Sequence, residues 1–156
     1  MKFAWIDLRT VPQPLLESVL DAAVHARVQA VVSDDPELLK TLPPTVRGVT
    51  LTEVTEEAGL HKLGPDDVGL VNVRDDRTLR LACSAAIALP HTVVAFADPT
   101  KIPLEIVLAA ADRAEGQLIT VCADLEEAAI VLDVLERGSD GVLLAPEDAE
   151  IGRAHV

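Results

Sequence analysis

The run Ala97–Gly141, ADPTKIPLEIVLAAADRAEGQLITVCADLEEAAIVLDVLERGSDG, decides the fold class. It opens at a strand end, Asp98, and continues through Pro103 into a helical pattern. The short apolar run Gln117–Cys122 follows, then a second helical pattern from Leu125 and a further strand beginning near Asp140. Pro103 suits a first helical turn, where its missing N–H would have no partner anyway. Asp124 followed by Glu127 reads as an N-cap with its capping-box acid, and Gly138 suits a helix end. Leu125, Ala128, Ala129, Leu132 and Leu135 keep helical spacing and predict one apolar stripe. A β-α-β-α-β alternation of this length implies parallel strands joined by right-handed crossovers.

The same alternation runs through the whole chain. Candidate strands are Phe3–Leu8, Gln29–Ser33, Val46–Leu51, Val68–Val73, Thr92–Ala97, Gln117–Cys122 and Asp140–Leu144. Helical patterns fall at Pro14–Ala26, Pro36–Leu42, Asp75–Leu89, Pro103–Ala114 and Leu125–Arg137. The Thr52–Asp67 connection, with Gly59, Gly64 and Pro65, reads as irregular. Pro146 and the acids after it read as the start of one more helix. About seven strands predict an α/β, parallel-sheet (β/α) barrel-like domain, incomplete by comparison with the usual eight. Residues 1–156 form one domain.

Composition agrees with buried parallel strands. Hydrophobic residues make up 49% of the chain but aromatics only 2%, so the core must be built from Val, Leu, Ile and Ala. The 26 acidic residues against 13 basic ones give a net charge of −13, which disfavours nucleic acid and anionic membranes as partners. Cys83 and Cys122 lack metal-ligand spacing and read as free thiols. The N-terminus has no signal-peptide pattern, and no apolar run reaches the ~20 residues of a membrane span. The expected location is cytoplasmic, with a small anionic molecule as substrate and a homo-oligomer possible.

Barrel chemistry belongs beyond the C-terminal ends of the strands. Those ends carry Asp7 and Arg9, Asp34 and Asp35, Asn72 and Arg74, Asp98 with Lys101, and Cys122 with Asp124. Asp7, Asp34 and Asp98 are candidate oxygen ligands for a hard cation such as Mg²⁺ or Mn²⁺. Lys101 can hold a phosphate or carboxylate, or form an imine with a ketone; a plain solvated lysine is the alternative. Glu105 is a further candidate, although the helix dipole alone favours an acid in a first turn. N-capping accounts for Asp35 and Asp124. The chain has no G-x-G-x-x-G run, which argues against a nicotinamide bound in the usual way.

DPTKIPLEIVLAAA and DLEEAAIVLDVLERGSDGVLLAP, with SDDPELLKTLPPTV and the opening KFAWIDLR, resemble the N-terminal part of the 3-dehydroquinate synthase II family. Within it the likeness leans to the bacterial branch that makes 3-amino-4-hydroxybenzoate, because Ile106 stands where dehydroquinate-forming members typically carry Asn. That resemblance implies a cyclase acting on an open-chain C7 amino keto acid. One branch closes a phosphorylated substrate without net redox and uses Mn²⁺; the other uses NAD to remove the amine oxidatively. It also implies a β-rich C-terminal portion beyond these residues. A parallel sheet cut short of its last units would expose an open edge and an apolar face. Asp98, Lys101 and Glu105 as catalytic groups, and Asp7 as a ligand, are the expected site.

Overall fold

The computed structural model describes residues 2–64, 67–98, 100–133 and 138–145. The strands are β1 Phe3–Asp7, β2 Ala30–Val32, β3 Arg47–Val49, β4 Leu51–Glu53, β5 Val68–Val73, β6 His91–Phe96, β7 Gln117–Cys122 and β8 Gly141–Leu144. The helices are α1 Gln13–His25, α2 Pro36–Leu39, α3 Glu57–Leu60, α4 Asp76–Ala88, α5 Ile102–Ala110 and α6 Leu125–Leu132. All described pairings are parallel, in the order β3-β2-β1-β8-β7-β6-β5-β4.

The two ends of that order are consecutive pieces of chain. β3 and β4 are one run interrupted at Thr50, its first half paired with β2 and its second with β5. The sheet therefore curls almost shut. Distances across it require this. Trp5 on β1 and His91 on β6 are three strands apart, roughly 14 Å in a flat sheet, yet their ring centroids are 5.9 Å apart. Arg47 on β3 and His91 are five positions apart in the order, yet Arg47 Nη1 lies 3.5 Å from each His91 ring nitrogen.

Curling divides the core into two. Trp5, Ala30, Val32, Val49, Val68, Val93, Ile119 and Leu143 fill the lumen, with Leu51 and Leu70 packed against them. The alternate strand residues, among them Ile6, Val31, Val71, Val94, Leu118 and Val142, face the helices. Period-two alternation thus sorts β-branched and aliphatic residues to both faces of the strands other than β3 and β4, as a doubly buried parallel sheet requires. Gly141 makes the lumen wall thin where it must be, since a Cβ there would collide with the Phe3 ring.

Local signals place the helices. Asp75 and Thr78 form a full capping box before α4, Asp35 accepts from Glu37 N, and Asp124 accepts from Glu127 N. At the end of α1, Arg27 N donates to Val24 O and Val28 N to Ala23 O, with Arg27 at φ 59°. That is a Schellman closure without the glycine it usually takes. Gly138 adopts φ +66°, the left-handed conformation expected of a helix-ending glycine. The buried face of α6 is Ala128 and Val131, while Leu125 is exposed, so the apolar stripe sits about one residue from where spacing alone placed it. α5 stops at Ala110 rather than Ala114, and α2 is a single turn. Leu135 and Pro146 lie outside the described residues.

The third connection is more ordered than expected, because it contains β4 and α3. The expected open edge falls between β3 and β4, which pair with β2 and β5 and not with each other among the described residues, rather than at the last strand. β8 does not lie at a margin but pairs with both β1 and β7.

The N-terminal rim supplies a pH-dependent element of stability. His91 lies beside Arg47, with Gln117 next along the rim and Glu115 lining the same cleft. Burial, reinforced by Arg47 and opposed by Gln117, holds the His91 imidazole below its ordinary value of 6.5. Folding therefore favours the neutral ring. This contribution is complete above pH 6.5 and is lost as pH falls through that value towards the lower folded one. The melting temperature should fall on acidification through this window, and His91→Gln should flatten that part of the profile. An unchanged profile in the variant would assign the acid sensitivity to other groups.

Candidate functional site

The C-terminal mouth of the barrel gathers polar residues from adjacent strands. Asp7, at the end of β1, is 7% exposed. Its Oδ1 accepts from the backbone N and Nε of Arg9, both at 3.0 Å, and its Oδ2 accepts from Arg9 Nη2 at 2.9 Å. This fork-to-fork pair fixes both side chains and holds Arg9 above its usual range, chiefly through Asp7 with a smaller contribution from Asp34. Asp34, after β2, is exposed on the same side. Next round the rim, Asn72 Nδ2 on β5 donates to Glu53 Oε1 on β4 at 3.1 Å.

Asp98 and Lys101 follow β6. Asp98 Oδ1 accepts from Thr100 N at 2.8 Å, and that bond keeps its carboxyl below the usual carboxylate range. Asp98 thus shapes the turn into α5. Lys101 is half-buried at the N-cap of α5, makes no side-chain cap bond, and has no carboxylate within 4 Å among the described residues. It lies near enough to Cys122 to act on that thiol, although burial, with Glu127 and Asp124, pushes the thiol up to about 12. Cys122 is therefore a protonated core group, and Cys83 is likewise held up by burial; both are free. Glu105 is exposed in the first turn of α5.

The three expected metal ligands do not form a cage. Asp7 has both oxygens committed to a guanidinium, and Asp98 has one committed to a backbone N–H. Among the described residues no group of three or more His, Cys, Asp or Glu side chains can hold a metal ion. These residues alone do not fit Mn²⁺ at Asp7, Asp34 and Asp98.

Sequence reading reached Asn72 but missed Glu53. Val49, Leu51 and Glu53 keep the period of two through the break at Thr50, and that alternation was the available signal. A cleft of about 570 Å³ opens at the opposite, N-terminal rim, lined in part by Leu89, His91, Glu115 and Gln117. We place the site at the other rim, where strand ends and helix starts converge.

Fold and mouth together define a (β/α)-barrel domain of the kind that carries enzyme chemistry on its C-terminal face. Residues 1–154 match the family model of the 3-dehydroquinate synthase II N-terminal domain, and the chain belongs to that family. It is 41% identical to 3-amino-4-hydroxybenzoic acid synthase from Streptomyces griseus, over 94% of this chain and 42% of that protein. It is 30% identical to 3-dehydroquinate synthase from Methanoculleus marisnigri, over 98% of this chain and 42% of that protein. The Methanothermobacter thermautotrophicus 3-dehydroquinate synthase is 31% identical over 95% of this chain and 47% of its own length. The chain therefore spans less than half the length of these relatives. No described helix is long and apolar enough to cross a membrane.

Proposed function

We propose that this barrel is the N-terminal part of a cyclase that converts a phosphorylated open-chain C7 amino keto acid to 3-amino-4-hydroxybenzoate without net redox. The observation carrying this reading is the 41% identity to the Streptomyces griseus synthase, against 30% and 31% to the two archaeal dehydroquinate synthases. Ile106 supports it, standing where the dehydroquinate-forming pattern has Asn.

The mouth offers such a substrate two cationic groups. Lys101, without a carboxylate partner among the described residues, offers a cation for the phosphate or the ketone oxygen, and Arg9 brings a second positive group anchored by Asp7. Leu51 and Leu70 from the lumen floor give the carbon chain an apolar seat below these charges. Mn²⁺, which the resemblance implies, would act as a Lewis acid on a carbonyl or phosphoryl oxygen. Its ligands would have to come at least in part from beyond the described residues. Asp98 serves Lys101 indirectly by fixing the turn that presents it.

The test is product analysis with the complete protein and the phosphorylated amino keto acid. Aromatic amine should accumulate with no NAD added. Appearance of NADH together with ammonia, and no aromatic product, would replace this reading with the oxidative dehydroquinate route.

A further inference from the structure

We infer that Glu53 is the base that removes a carbon-bound proton from the substrate, held in place by Asn72; this rests on the function proposed above. Ring closure of a keto acid begins by breaking a C–H bond beside the ketone. The proton passes to a carboxylate oxygen, the bonding pair moves into the enolate, and the carboxylate becomes a carboxylic acid. No oxidant or reductant is needed. The step requires an ionised carboxylate at the mouth that is oriented and still has a free oxygen.

The other carboxylates there fail one of these conditions or stand off the strands that line the lumen. Asp7 has both oxygens bonded to Arg9. Asp98, Asp35 and Asp124 keep one oxygen free but cap a turn or helix from loops beyond the ends of β6, β2 and β7. Asp34 is exposed, and no hydrogen bond orients it among the described residues. Glu53 meets both conditions. Val49 and Leu51 before it sit in the lumen cluster, as does Leu70 before Asn72, so strand alternation brings Glu53 and Asn72 to the mouth on neighbouring strands. Asn72 Nδ2 engages Oε1, and no other hydrogen bond among the described residues engages this carboxylate, which leaves Oε2 available to a proton. Lys101 lies in the loop after β6, and β6 is two inter-strand spacings, roughly 10 Å, from β4. A chain of several carbons bridges that gap with its phosphate at Lys101 and its acidic C–H at Glu53. Asn72 is a positioning residue.

Deuterium wash-in to the substrate from D₂O tests the proton step apart from product formation. In the complete protein, Glu53→Gln should lower both exchange and kcat by a factor on the order of 10² or more, with KM within about twofold of wild type. Glu53→Asp should recover part of the loss. Asn72→Ala should lower kcat by roughly tenfold without raising KM, because it frees the base rather than removing it. Glu53 is exposed at a strand end and the Gln substitution is isosteric, so an unchanged melt is expected. If Glu53→Gln keeps exchange and turnover within about threefold while wild type makes aromatic product, Glu53 is not the base, and the proposed function stands. If wild type exchanges deuterium but makes no aromatic product, and the variant loses exchange, Glu53 is the base and the proposed function is wrong.

Discussion

Replacing Lys101 with alanine in the complete protein lowers turnover by a factor on the order of 10² or more, if its ammonium acts on charge developing in the transition state. The half-buried Lys101 stands at the start of α5 without a carboxylate partner among the described residues. Such a cation is open to an anion that comes from outside, the role proposed for it above. Its backbone, not its side chain, serves the helix, since no side-chain cap bond is made. The fold should therefore survive, and a thermal melt should show it. Lys101→Arg separates two roles: it should keep phosphate binding and KM, but it cannot form an imine. Near-normal activity in the alanine variant would make the loop structural and move the site elsewhere.

The second large effect concerns the lumen. Trp5→Ala should destabilise the domain by about 3–5 kcal/mol, a large share of the roughly 5–15 kcal/mol that holds a domain together. Trp5 is 0% exposed and lies within reach of the Phe3 ring, with centroids 6.0 Å apart, and of His91. Its Nε1 donates to Gln29 Oε1 at 2.6 Å, so truncation also removes this hydrogen bond at the N-terminal end of β2. Trp5→Phe should cost less, because bulk is kept and only the hydrogen bond goes. Trp5 is the sole tryptophan of the chain, so urea denaturation must be followed by circular dichroism. A loss under about 1 kcal/mol would mean that the lumen is loosely filled.

Most of the barrel could be read from the chain because both of its periodicities are local. Short apolar runs marked every described strand except β4, and Asp124, Pro36 and Pro103 marked helix starts. What sequence could not supply was closure. β3 and β4 read as one strand followed by an irregular connection, since nothing local says that a chain will change partners at Thr50. The same gap hid Glu53, whose strand is three residues long. Candidate residues fall at the C-terminal rim, because strand ends are legible. Their partners were not: Arg9 clasping Asp7, and Thr100 engaging Asp98, are set by rotamer and turn geometry. A metal site drawn from strand ends alone therefore joined exposed Asp34 to Asp7 and Asp98, whose oxygens the fold engages elsewhere.

A crystal structure of the complete protein with a non-reactive phosphorylated keto acid would test the account most directly. Ligand should lie at the C-terminal mouth, with its phosphate or ketone oxygen within hydrogen-bond distance of Lys101 and its acidic carbon facing Glu53. Ligand bound at the N-terminal rim beside His91 and Gln117, or at a site without residues from this barrel, would contradict it.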